Sequence, residues 1–126
     1  MASGKFILKK TVSGAYRFNL LATNGQVIAT SENYKSLENC KTGVESVRKN
    51  ALAEVEDQTA QGYEAKANPK FEVYRDRAGE YRFRLKAVGG EIITVSEGYK
   101  TKVSCLGGIR SIGRNAPEAV LIQVER

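Results

Sequence analysis

Two copies of one short motif gather the side chains best suited to chemistry in this sequence. Ser31-Glu32-x-Tyr34-Lys35 and Ser96-Glu97-x-Tyr99-Lys100 each bring a hydroxyl, a carboxylate, a phenol and an amine into one short stretch. Just ahead of a helix, such a loop can hold an anion, because free N–H groups and the helix dipole point outward there. Acid/base catalysis by Glu32, Tyr34 and Lys35 is the weakest reading, since only the recurrence of these groups speaks for it. A structural account competes: Ser caps, Glu pairs with a nearby Arg, and Tyr packs against the helix start. That account is the stronger one. The eight residues are nevertheless where a ligand would be sought first.

Arg82, Arg84 and Lys86 form a second constellation, alternating so that they share one strand face. Arg75 and Arg77 lie just before them. Basic sheet faces that also carry aromatics bind single-stranded nucleic acid. Tyr81 and Phe83 fall on the opposite face, so the stacking half of such a site is missing. The surplus charge is concentrated here: residues 66–126 carry twelve Lys/Arg against seven Asp/Glu, and residues 1–65 carry eight against seven. A formal net charge of +6 admits weak nucleic-acid or anionic-surface association without demanding it.

The chain has no histidine and only two cysteines, Cys40 and Cys105. This removes the Ser-His-Asp triad, the Cys-His pair, the commonest zinc ligand and any four-sulfur site within one chain. No catalytic residue, metal or cofactor is expected. Cys40 and Cys105 recur on an apolar helical stripe and read as core residues; a reactive thiol would need exposure and a lowered pKa. MASGKFILKK has no apolar h-region, and no stretch approaches the ~20 apolar residues of a membrane span. Reduced thiols and a cytoplasmic location follow as expectations.

These motifs sit on a duplicated framework. Shifted by 65 positions, residues 5–51 lie on residues 70–116 without a gap, and about 19 of 47 pairs are identical. GYEAKANP (62–69) reads as a connection between repeats 1–61 and 70–126. In each unit a first strand (Phe6 to Lys10; Phe71 to Arg75) leads through a glycine turn into an alternating strand carrying Tyr16, Phe18 and Leu20. Asn24-Gly25, like Gly89-Gly90, predicts a two-residue type I′ hairpin. That turn places Ala22 opposite Val27, Leu20 opposite Ala29, and Arg17 opposite Glu32, with Arg82 opposite Glu97 as a repeated ion pair. Ser36 and Thr101 are N-cap candidates, followed by a stripe through Cys40, Val44 and Val47. Gly43 and Gly108 lie beside that stripe, where a glycine costs about 1 kcal/mol against alanine, which predicts close approach of helix to sheet. A last strand follows, Ala53 to Asp57 and Val120 to Glu125. Leu21, Ile28, Ile93 and Val95, apolar on the far side of the hairpin, call for a cover, for which the other repeat is the candidate.

The run F-x-[IV], G-x-Y-R-F-x-L-x-A, the glycine turn, I-x-x-S-E-x-Y-K-[ST], C-x-x-G-[VI]-x-S-[VI] and N-A resembles the YegP-like family of uncharacterised bacterial proteins across both repeats. The resemblance implies an α+β repeat fold and no activity, with no catalytic residues to carry over. One departure is Lys102-Val103 where Leu37-Glu38 stand in the first copy, so the second buried stripe is expected to begin one residue later.

The expected fold is α+β: a tandem duplication of a βββ-α-β unit, with two antiparallel sheets and one helix each, packed as one pseudo-twofold domain. The expected function is a small non-catalytic cytosolic module that binds a protein or a small anionic ligand. Weak nucleic-acid binding through the second repeat is the alternative. A monomer is expected because the repeats pair internally.

Overall fold

The structure, a computed structural model, describes residues 4–124. The first repeat forms β1 (Lys5–Lys10), β2 (Tyr16–Leu21), β3 (Val27–Ser31), α1 (Leu37–Asn50) and β4 (Glu54–Asp57). The second forms β5 (Lys70–Arg75), β6 (Tyr81–Lys86), β7 (Ile92–Val95), α2 (Lys102–Asn115) and β8 (Val120–Val124). The βββ-α-β order is thus realised twice, and the α+β class holds.

The two expected sheets are one. All eight strands join in the order β4-β5-β6-β7-β3-β2-β1-β8. The halves meet where β3 pairs antiparallel with β7, and Thr30 stands opposite Val95, its own repeat equivalent. The pseudo-twofold axis therefore passes at this pair. The final strands are exchanged: β4 of the first repeat runs parallel to β5 of the second, and β8 runs parallel to β1. Each half of the sheet is completed by the other repeat.

Both helices lie against the sheet, α1 on β2 and β7, α2 on β6 and β3. Each helix thus straddles the seam. Ser36 Oγ accepts the Asn39 N–H at 3.0 Å and Thr101 Oγ1 accepts the Ser104 N–H at 3.1 Å, so both predicted N-caps are made. Under the helices, Phe6, Leu8, Phe18 and Leu20, with Phe71, Val73, Phe83 and Leu85, are fully buried together with Cys40 and Cys105. Burial alone pushes the Cys40 thiol up to about 11. For Cys105 burial, then the Asp57 carboxylate, does the same, to about 11.

Two local expectations are corrected. The hairpin turn is not type I′: Gly25 has φ +89°, but no non-glycine residue among the described residues has positive φ. Instead the Gly25 N–H donates to Ala22 O at 2.9 Å, and the Ala22 N–H donates to Gln26 O at 2.8 Å. This is the three-residue loop that ends on a left-handed glycine, and Gly90 repeats it. The extra residue moves the register: Leu20 still faces Ala29, but Leu21 faces Val27, leaving Ile28 as a bulge. Second, the other repeat covers only part of this far-side apolar set. The bulged ladder leaves Ile28 and Ile93 buried in strands crossed by the other repeat's helix, whereas Leu21 and Val95 stay part-exposed on the bare face.

The second stripe does not begin one residue later, at Val103, which is exposed; it begins at Cys105, whereas Leu37 of the first helix still packs on the core. Cys105, Gly108, Ile109 and Ile112 take the positions of Cys40, Gly43, Val44 and Val47, while Lys102 turns aside to Asp57, 2.8 Å away.

Candidate functional site

The SE-x-YK loops divide cleanly into residues used by the fold and residues left outside. Ser31 is buried; its Oγ accepts the Phe18 N–H at 2.9 Å and donates to Glu32 O at 2.7 Å. Ser96 repeats this with Phe83 and Glu97 at the same distances, 2.9 and 2.7 Å. The hydroxyl stands in for a missing ladder partner where the strand turns toward the helix, so it caps the strand end rather than the helix.

Tyr34 bonds Tyr16 through both backbone groups, at 2.8 and 2.7 Å, and Tyr99 bonds Tyr81 in the same way, at 2.7 Å each. The Tyr34 ring stacks on Phe18 with centroids 6.4 Å apart, and Tyr99 on Phe83 at 6.3 Å. Each hydroxyl reaches a helical glycine: a methyl group at Gly43 or Gly108 would overlap the Tyr34 or Tyr99 oxygen. The close approach expected at these glycines is therefore made by a phenol from the loop. Burial, then the neighbouring thiol, then Glu32 raises the Tyr34 pKa; burial, Cys105 and Glu97 do so for Tyr99. Glu32, Lys35, Glu97 and Lys100 are exposed.

The ion pairs expected at Arg17–Glu32 and Arg82–Glu97 are not formed among the described residues. The Ser31 and Ser96 hydroxyls break the ladder before the glutamates, which swing out of register. Arg82 instead holds Asp76 at 2.7 Å, a hydrogen bond that keeps the Asp76 carboxyl below its usual range. The first repeat has Thr11 where Asp76 stands, so Arg17 has no such acceptor.

The basic residues of the second repeat are likewise engaged. Arg84 pairs with Glu72 at 2.6 Å, and Lys86 reaches the same carboxylate at 3.4 Å. Arg75 lies over the Tyr81 ring at 4.8 Å and donates to Gly79 O. Arg77 alone of the five is an exposed cation outside these contacts. Lys70 completes the network, 2.6 Å from Glu56 and 3.2 Å from Glu72. Burial works to raise the Glu72 pKa, but hydrogen bonds from Arg84 and Lys70 outweigh it and hold the carboxyl low. Hydrogen bonds from Gln58, Lys70 and the Lys66 backbone hold Glu56 at about 2. The connection after β4 supplies Gln58 and Lys66, so it folds back over Glu56 at the edge of this charged half.

One of the half-buried motif tyrosines also borders a cavity. Tyr99 lines a hollow between the β2–β3 hairpin of the first repeat and α2 of the second, with Gln26, Ile28, Ser111, Arg114 and Glu118. Its hydroxyl has no hydrogen-bond partner among the described residues. The hollow escaped the sequence reading because it exists only where the repeats meet. No group of three or more His, Cys, Asp or Glu placed to hold a metal occurs among the described residues, and none of their helices is long and apolar enough to cross a membrane.

The model of the domain of unknown function DUF1508 matches residues 12–57 and again 76–122. The chain belongs to this family. DUF1508 relatives include a UPF0339 protein of Pseudomonas aeruginosa, 36% identical over 94% of this chain and 96% of that protein. A UPF0339 protein of Treponema denticola is 51% identical over 44% of this chain and 95% of its own length, so it corresponds to one repeat. The solution structure of yegP from E. coli, a protein of unknown function, superposes with a TM-score of 0.79 at 30% identity, covering 98% of this chain and 94% of that one. The DUF1508 repeat, a domain of unknown function, accounts for the resemblance to YegP-like proteins and for the fold.

Proposed function

We propose that this protein is a small non-catalytic cytosolic module, monomeric, that binds a small organic anion in the hollow at the seam of its repeats. The carrying observation is the meeting there of the Tyr99 phenol, an apolar floor at Ile28 and the Arg114 cation, which forms no ion pair among the described residues, drawn from both repeats. The reactive groups elsewhere are occupied: the serine hydroxyls serve the ladder, and both thiols are buried and raised to about 11. Free buried thiols suit a reducing compartment. The exchanged strands support a monomer, because the pairing a lone repeat would seek outside is met within the chain.

A fragment library of small carboxylates and phosphates, screened by amide shifts of ¹⁵N-labelled protein, tests the reading. Hits are expected to move Gln26, Ile28, Tyr99, Ser111 and Arg114 together, and Arg114→Ala should weaken them. Shifts scattered over the surface, or none, would remove the hollow as a site. Nucleic-acid binding through Arg82, Arg84 and Lys86 is the competing reading, and their pairing with Asp76 and Glu72 works against it. A gel shift at low salt that Arg84→Glu/Lys86→Glu abolishes would reverse that ranking.

A further inference from the structure

The bare face of the sheet differs completely between its halves. Over β4, β5 and β6 it carries Glu56, Lys70, Glu72, Arg84 and Lys86, and Glu56, Lys70 and Glu72 are buried. Register places Ile122 and Ile7 in the other half where Glu56 and Glu72 stand, with Lys5, Lys9 and Arg17 around them. Phe6, Leu8 and Leu121 face the helices, so Lys5, Ile7 and Lys9 share the opposite face with Val120, Ile122 and Val124. Val120 is 60% exposed and Ile122 39%. Lys5, Lys9 and Arg17 form no ion pair among the described residues. The edge strand β8 reads Val-Leu-Ile-Gln-Val, with no charge along it, whereas the opposite edge β4 reads Glu-Val-Glu-Asp. Sheets ordinarily protect an open edge with charge.

We propose that β8 and this bare half-face form a docking surface for an extended segment of a partner protein rich in acidic and apolar residues. Two observations choose the occupant. The charges are complementary to acid: three cations flank an apolar centre, and the carboxylates that neutralise the equivalent positions in the other half are absent. The other half also shows the mode, since the connection folds back to Glu56, which accepts hydrogen bonds from the Gln58 side chain and the Lys66 backbone. A partner segment lies across the first half in the same manner. Its carboxylates meet Lys5, Lys9 and Arg17, and its apolar side chains cover Ile7 and Ile122 and reach Val120 at the edge. This surface is distinct from the seam hollow, and either can fail alone.

The test uses the full chain and two synthetic peptides, (Glu-Val)₅ and (Lys-Val)₅, titrated against ¹⁵N-labelled protein. The acidic peptide is expected to shift amides of residues 5–9 and 120–124 and to bind at least about tenfold tighter than the basic one. Lys9→Glu/Arg17→Glu changes only exposed side chains that form no ion pair among the described residues, and should reduce that binding at least about tenfold with the spectrum otherwise intact. Ile122→Asp should do the same without altering the cations. Equal binding of both peptides, shifts confined to Tyr99 and Arg114, or no binding at about 1 mM would overturn the proposal. So would oligothymidylate binding at this face in preference to the acidic peptide.

Discussion

Phe6 meets Phe18 edge-on with centroids 5.6 Å apart, and Phe71 meets Phe83 in the same way at 5.9 Å. Tyr34 and Tyr99 stack on those rings to within a tenth of an ångström of each other, and each rests on a helical glycine. Through the sheet, the same registers place isoleucine beside isoleucine in one half and glutamate beside glutamate in the other. Side chains packed between sheet and helix answer to close-packed neighbours, where one methylene is felt. Those on the bare face answer to whatever lies over them. In one half that is the connection between repeats; in the other it is solvent or a partner.

The comparison can be broken most forcefully at the rings. Phe18→Ala and Phe83→Ala should each lower stability by about 3–5 kcal/mol, and by similar amounts, in urea unfolding followed by circular dichroism. Unequal losses would mean that the helix-covered sides are alike in shape but not in energetics. Next comes the charged half. Glu72→Ala leaves Arg84, Lys70 and Lys86 without their shared acceptor and should cost about 2–3 kcal/mol, less than a fully buried pair because the cations reach water. Ile7→Ala, at the matching place, should cost well under that.

The same network gives the halves different responses to acid. A carboxyl lowered in the fold holds its proton more weakly there than in the unfolded chain. Glu56 therefore adds stability above its ordinary value of 4.5, and that stability drains away as pH falls toward about 2. Glu56→Gln should flatten the fall in unfolding midpoint over this window, whereas charge changes at Lys5 or Lys9 should leave it unchanged. Smaller again is the glycine contact. Gly43→Ala should cost about 1–3 kcal/mol through overlap with the Tyr34 hydroxyl, and Tyr34→Phe should recover part of it, with Gly108 and Tyr99 behaving alike. The slightest effect is expected at the thiols: an alkylating reagent should leave Cys40 and Cys105 unlabelled in the native protein and label both in urea.

The repeat, its element order, both N-caps and the buried stripes were legible because each rests on residues close in sequence. The glycines beside the stripe were legible as close approaches, though not their partner, since Tyr34 and Gly43 are joined only by the folded loop. Turn type was misjudged at Asn24-Gly25 because one left-handed glycine suffices for a three-residue loop, and the dipeptide fits both. The Arg82–Glu97 pairing failed for a subtler reason: a side-chain hydroxyl, from Ser96, replaced a ladder hydrogen bond and ended the register the pairing relied on. The single sheet, the exchanged strands and the seam hollow depend on how the copies meet. Self-similarity shows that two copies exist and is indifferent to which strand each lends the other.

The pairing of β1 with β8 has a consequence in time. Residues 5–9 receive their parallel neighbour only from residues 120–124, and β4 waits for β5, which follows the whole connection. A ribosome that has delivered the first repeat has delivered a sheet with one flank open and a fourth strand without a berth. Contacts of this span form late and slowly. The nascent half-molecule must therefore stay soluble until its twin emerges, and slowed translation between residues 57 and 70 would lengthen that exposure.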